Sequence, residues 1–110
     1  MKKSLQEHKE MLIALAGKGE VVSAINDLER FGDLSHDEII SLLVDCGAGQ
    51  EVEKSLHKFS NLHLITVKKL IERGVASSVW RNIHLFDPLD HEEIKKLLMT
   101  KGYANTVLGV

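Results

Sequence analysis

The chain has 110 residues, 14 basic and 16 acidic side chains, a formal net charge of −2 and a hydrophobic fraction of 44%. These values suit one globular domain and disfavour a disordered chain, while 5% aromatics and a single proline (Pro88) disfavour a β-sandwich or barrel. The nearly balanced charge gives no global field that would attract nucleic acid or an anionic membrane.

The same composition bears on the cellular compartment. The single cysteine, Cys46, cannot form an internal disulfide, which indicates a reducing environment. The longest apolar run is far shorter than the eighteen or so residues of a membrane span, and the N-terminal MKKSLQEHKE is too charged to open a signal peptide. We therefore expect a cytoplasmic protein. Export by a route without a cleaved signal would leave no trace in these features.

A repeat of 27 to 28 residues organises the chain. Leu34, Leu62 and Leu89 recur at this spacing, and each is followed by equivalent apolar positions and a glycine. Each unit has an apolar stripe at helical spacing, a glycine that ends the first helix, and a shorter second helix. The units of the single predicted domain (1–110) cover about residues 5–33, 34–61, 62–88 and 89–110. The predicted fold is all-α: a compact, slightly curved stack of short helical hairpins with about eight helices.

The first two units carry the plain form of the pattern. The first is a weaker copy in which Gly19 ends the first helix. In the second, Ser35 and Glu38 predict a capping box, and Leu34 with Ile39 predicts a hydrophobic staple around it. Cys46 falls on the apolar face of this helix, where a thiol is usually buried and inert.

The third unit departs from its neighbours by being more apolar. Leu64 replaces the His of the other units, Ile65 replaces an acid, and Trp80 and Leu85 stand where other units have charged residues. We predict a partner-binding surface of Leu64, Ile65, Trp80 and Leu85, since Trp is enriched in binding hot spots. The alternative is that this unit is interior and the curved stack covers these side chains.

The fourth unit is cut short at the C-terminus. Asp90 with Glu93 predicts a cap, and Leu89 with Ile94 predicts a staple. The segment YANTVLGV begins a second helix but stops before the Phe of the other units, which predicts that Ile94, Leu97 and Leu98 are incompletely covered. An open end of this kind favours self-association, and a homodimer is the simplest form.

Candidate chemistry is sparse. The glycines of GKG and GAG follow helices and lack the GK[ST] of phosphate loops, so they are interpreted as helix caps and turns. The six histidines show no i, i+4 pair, and Cys46 is flanked by Asp45 and apolar residues, so neither a metal site nor an activated thiol is expected. Lys68-Lys69 and Lys95-Lys96 fit a solvated helix face. We therefore expect no enzyme, catalytic residue, metal or cofactor.

In size, four-unit helical repeat and lack of a catalytic constellation, the chain resembles the small helical effectors of Legionella that inhibit sister effectors acting on ubiquitin by deamidation and transglutamination. The resemblance spans the chain, from MKKSLQEHKEMLIALAGKGE to MTKGYANTVLGV, and carries over no site residue. It implies a non-enzymatic regulator that blocks a partner enzyme's access to its substrate, acting in the host cytosol after secretion. The alternative function is a nucleic-acid-associated helical-repeat protein, which would read bases from a basic concave face.

Overall fold

The computed structural model describes residues 5–109 and contains α-helices and short 3₁₀ turns, which confirms the all-α prediction. Val110, which the prediction assigns to the fourth unit, lies outside the described residues, as do residues 1–4. The α-helices are α1 (Leu5–Gly17), α2 (Val21–Ile25), α3 (His36–Asp45), α4 (Gly49–Lys54), α5 (Leu64–Glu72), α6 (His91–Thr100) and α7 (Ala104–Leu108). The 3₁₀ turns are Leu28–Phe31, Leu56–Lys58, Trp80–Leu85 and Pro88–Asp90.

The first helix of every unit ends in the same way. A glycine after the helix adopts a positive φ, for example 86° at Gly47 and 71° at Gly74, which a residue with a Cβ adopts only with strain. The next N–H then bonds to the carbonyl five residues earlier, the bond expected of a Schellman motif. This bond joins Glu20 to Leu15, Ala48 to Leu43, Val75 to Leu70 and Tyr103 to Leu98, at 2.8 to 3.0 Å.

The stack is elongated, measuring 48 × 26 × 19 Å, and one hydrophobic core runs along it. Buried phenylalanines at the ends of the second helical segments, Phe31, Phe59 and Phe86, alternate with buried leucines and isoleucines of the first helices. An isolated bridge joins Leu62 to Phe86, through the bonds Leu62 N–H to Leu85 C=O and Asp87 N–H to Leu62 C=O, at 2.9 and 2.8 Å. No helix in residues 5–109 is long and apolar enough to cross a membrane.

The last unit differs from its sequence prediction. Ile94 and Leu98 are 0% and 1% exposed, because α7 packs on α6 and places Tyr103 and Val107 against the core. The expectation that they are incompletely covered is therefore wrong, although Leu97 is only half-buried. The predicted staple also fails, since Leu89 is 89% exposed.

Three further local predictions have different outcomes. The Ser35–Glu38 capping box is present: Ser35 Oγ accepts the Glu38 N–H at 3.1 Å, and the Glu38 carboxylate accepts the Ser35 N–H at 3.3 Å. The equivalent box at Asp90 is absent, because the turn Pro88–Asp90 leads straight into α6 and leaves Asp90 with helical backbone angles. Cys46, predicted to be buried, is exposed, since it follows the last turn of α3 rather than facing its apolar stripe.

Leu98 and Leu89 differ in burial, and unfolding experiments can measure the consequence for stability. We expect Leu98→Ala to lower the free energy of unfolding by about 2 to 5 kcal/mol, because it leaves a cavity in the core. Leu89→Ala removes the same atoms from an exposed position and should change it by less than about 0.5 kcal/mol. Urea unfolding of both variants gives the comparison. Equal losses would show that Leu89 is a core residue and that the turn lies elsewhere.

Candidate functional site

The first turn of α5 has no cap of its own. His63 and Thr66 stand where α3 has its capping pair, and the His63 side chain makes no capping hydrogen bond to this helix. Carboxylates from the two neighbouring units supply the acceptors instead. The His63 N–H donates to Asp37 Oδ1 at 3.0 Å, and the Leu64 N–H donates to Asp90 Oδ2 at 3.1 Å. Negative charge at a helix N-terminus also interacts favourably with the helix dipole.

Asp37 is the main acceptor at this junction. It lies in the first turn of α3, and its side chain is 13% exposed. Besides the His63 N–H, it accepts a hydrogen bond from the Thr66 hydroxyl, and its Oδ2 lies 2.7 Å from His63 Nδ1. One carboxylate of the second unit therefore holds three donors of the third.

The other nitrogen of the His63 ring faces Asp87, at the end of the third unit. His63 Nε2 lies 3.9 Å from Asp87 Oδ2, while Asp87 Oδ1 accepts the Leu89 N–H at 3.0 Å. The hydrogen bond to Asp37 raises the pKa of His63, and the negative charges of Asp37, Asp87 and Asp90 act in the same direction. We call Asp37, His63, Thr66, Asp87 and Asp90 the acid-histidine cluster; it joins three units.

Other side chains tie the second and third units together further along. Lys69 Nζ lies 2.6 Å from Asp45 Oδ1 and Arg73 contacts the same oxygen at 3.3 Å, so hydrogen bonding and charge from these two residues lower the pKa of Asp45. Ser77 Oγ donates to Glu53 Oε2 at 2.8 Å. Every one of these contacts joins residues about one repeat apart in sequence, as expected of stacked equivalent units.

The replacement of His by Leu64 has a packing explanation. In the first two units the corresponding histidines pack edge-on against the phenylalanine of their unit: His8 against Phe31, with ring centroids 6.1 Å apart, and His36 against Phe59, at 5.6 Å. Leu64 occupies the same register in the third unit and packs, half-buried, against the core. The apolar residue thus takes the place of an aromatic-facing histidine.

The four residues predicted to bind a partner lie in different environments. Leu64, Trp80 and Leu85 are half-buried and pack against the core, whereas Ile65 is 68% exposed. The carbonyl of Leu85 accepts the Leu62 N–H, which places Leu85 close to the start of α5. The partner-binding role stays a prediction, and its exposed part is Ile65.

Leu89 is a second exposed apolar residue at the same place. Ile65 and Leu89 each neighbour in sequence one member of the hydrogen-bonded pair Leu64 and Asp90, so their backbones lie near each other at the start of α5. We call Ile65 and Leu89 the apolar edge. Beside Ile65, a groove of about 380 Å³ runs between α3 and α5. Of these two residues, Ile65 was predicted from sequence, whereas Leu89 was missed because the repeat pattern places it in the core.

The aspartates of the acid-histidine cluster accept hydrogen bonds from backbone N–H groups, those of His63, Leu64 and Leu89. Thr66 is only 2% exposed and its hydroxyl donates to Asp37, so it is a buried donor within this hydrogen-bond network. Among residues 5–109, no group of three or more His, Cys, Asp or Glu side chains is placed to hold a metal ion. The sequence shows that α5 lacks a capping pair. No pattern near α5 identifies Asp37 and Asp90 as the acids that accept its first N–H groups instead.

Comparison of the chain with protein-family models, with curated proteins and with solved structures found no match in any of the three. A functional inference for this chain therefore starts from its own geometry. Three properties bear on it: units joined by side-chain hydrogen bonds, a cluster of acids and one histidine at the start of α5, and two exposed apolar side chains beside that cluster.

The first prediction from this site compares two aspartates of α3 that both contact α5. We expect Asp37→Ala to lower the free energy of unfolding by about 1 to 3 kcal/mol, because the buried Thr66 hydroxyl and two further donors lose their acceptor. Asp45→Ala removes an exposed ion pair and should cost less. Chemical unfolding of the two variants decides the order. A larger loss for Asp45→Ala would contradict the central position of Asp37.

The second prediction concerns pH. Since the pKa of His63 is raised above its ordinary value of 6.5, its protonation stabilises the folded state. That contribution is complete below the pKa of the unfolded chain and is lost as the pH rises through the higher pKa of the folded state. The difference in urea midpoint between the wild type and His63→Asn should therefore shrink over this range. It should be much smaller at every pH in an Asp37→Asn background; an unchanged difference would refute Asp37 as the main cause.

Proposed function

We propose that this protein is a non-enzymatic protein-binding module that regulates or inhibits a partner enzyme, and that it binds through the apolar edge. The single observation that supports this most is the exposure of Ile65 and Leu89, 68% and 89%; Ile65 also lines the groove between α3 and α5. Removing each side chain from water on binding would contribute roughly 1.5 to 3 kcal/mol.

The backbone around Leu89 favours binding because it is already ordered. The Leu89 N–H donates to Asp87 Oδ1, the Asp90 N–H donates to the Asp87 carbonyl at 2.9 Å, and Pro88 restricts the backbone at the start of the turn. An apolar side chain on a fixed turn loses little conformational entropy when a partner covers it. Leu64, Trp80 and Leu85 are half-buried and pack against the core.

The mode of action that fits this surface is steric. A stack of helices joined by side-chain hydrogen bonds presents the apolar edge at a fixed position, and a partner enzyme bound there would lose access to its substrate. A ubiquitin deamidase or transglutaminase acting as a sister effector is the partner implied by the resemblance, with the host cytosol as the place of action. Both remain predictions, as does a homodimer.

We expect Ile65→Asp and Leu89→Asp each to weaken partner binding at least about tenfold, because each places an unpaired charge where the partner covers an apolar side chain. The matched control is Val22→Asp, which alters an apolar residue that is 54% exposed on α2, in the first unit. The partner is captured on the wild-type protein and identified, and its Kd for each variant is then measured.

All three substitutions are at exposed positions, so the thermal unfolding midpoints should stay close to that of the wild type. Two outcomes contradict the proposal. One is a captured partner that binds Leu89→Asp and Ile65→Asp as tightly as Val22→Asp. The other is a partner that keeps its full activity towards its substrate when saturated with this protein.

A further inference from the structure

His63 is placed to link two units through its two ring nitrogens. Nδ1 lies 2.7 Å from Asp37 Oδ2, and Nε2 lies 3.9 Å from Asp87 Oδ2. A neutral imidazole carries a proton on one nitrogen, whereas the imidazolium carries one on each. The two contacts are therefore attractive at the same time only in the protonated form. In the neutral form the shorter bond to Asp37 can persist, but an unprotonated nitrogen then faces the Asp87 carboxylate.

Asp87 connects this ring to the apolar edge. Its Oδ2 faces His63, and its Oδ1 accepts the Leu89 N–H at 3.0 Å. The Asp87 N–H donates to the Leu62 carbonyl at 2.8 Å, so the backbone of Asp87 is held without the histidine. The orientation of the carboxylate, and with it the anchoring of the Leu89 N–H, is what the charge of His63 can influence.

The other titratable groups around His63 come from each element packed against it. Asp37 lies on α3, and Asp87 and Asp90 lie before α6; all three are acidic. His36 and His84 border shallow surface depressions that His63 also borders, and the Nδ1 atom of His36 accepts the Ser60 N–H at 2.9 Å. In the described chain neither depression is bordered by a lysine or an arginine, so the fixed charges near His63 are negative.

We propose that His63 is a pH-sensitive link: as the imidazolium it holds the Asp87 carboxylate and the turn carrying Leu89 to α3, and as the neutral ring it keeps Asp37 and releases Asp87. Because this turn carries half of the apolar edge, partner binding weakens as the pH rises through the titration of His63. That consequence rests on the proposed function, while the link itself does not.

The range of pH in which the link would act is close to neutral. Histidine is the side chain whose ordinary pKa lies in that range, and the acids around His63 move its pKa upward. His63 is therefore the member of the cluster whose charge changes there.

Nuclear magnetic resonance on the isolated protein tests the link directly. The His63 ring and the Leu89 amide are followed between about pH 5.5 and 8.5, the range in which histidine titrates. We expect the Leu89 amide shift to change with the same midpoint as the His63 ring. Its exchange with solvent, corrected for the intrinsic dependence on pH, should be faster on the high-pH side. His57, exposed on the turn Leu56–Lys58, gives a second histidine for comparison.

Two variants complete the design. In both His63→Asn and Asp87→Asn, the step in the Leu89 amide shift as a function of pH should be lost. In Asp87→Asn the titration midpoint of the His63 ring should also fall. A Leu89 amide that does not respond to pH in the wild type, or that keeps its step in His63→Asn, overturns the proposal. If one variant fails to fold, the other still tests it, since each removes one side of the same contact.

The outcome is separable from that of the proposed function because no partner is present. If the Leu89 amide does not respond to pH but the Leu89→Asp variant loses its partner, the link alone is refuted. If the Leu89 amide does respond to pH but substitutions in the apolar edge leave partner binding unchanged, the proposed function alone is refuted.

Discussion

The start of α5 needs acceptors that its own sequence does not supply, and this need shapes the centre of the molecule. The first turn of a helix leaves several N–H groups without intrahelical partners. At α3 the chain satisfies them locally with Ser35 and Glu38, whereas at α5 it uses Asp37 from one neighbouring unit and Asp90 from the other. A local cap would serve α5 alone. Caps from two neighbours also join three units into one structure.

The same arrangement explains two departures from the repeat in the fourth unit. Asp90, whose carboxylate is directed to the Leu64 N–H, does not cap its own helix. The turn Pro88–Asp90 that brings it there continues directly into α6, and the Leu89 side chain in the middle of that turn is left exposed instead of stapling the helix. Exposure of Leu89 therefore accompanies the cap that α5 receives. A feature that stabilises the stack creates the surface that we assign to binding.

Sequence patterns predicted those parts of the fold that depend on local chemistry. The helical stripes, the Ser35 capping box and the glycines with positive φ all follow from residues within one unit. The patterns failed where a residue depends on a contact with another helix. Neither the cap that Asp90 gives to α5 nor the cover that α7 gives to Ile94 can be recognised from spacing alone, because both depend on how helices pack. Cys46 was misplaced for a smaller reason: helix α3 ends one residue before it.

The candidate surface was predicted in part, since Ile65 was identified from sequence and Leu89 was not. Substitution of polar by apolar residues in the third unit correctly marked this unit as unusual, but it mixed two causes. Leu64 is apolar because its position faces the core, where His8 and His36 meet phenylalanine rings in the earlier units. Ile65, one residue on, points to solvent and has no such packing reason. Ile65 and Leu89 are both apolar and exposed, and packing explains neither of them. This property distinguishes a candidate binding surface from an interior position. Trp80 and Leu85, like Leu64, are half-buried and pack against the core.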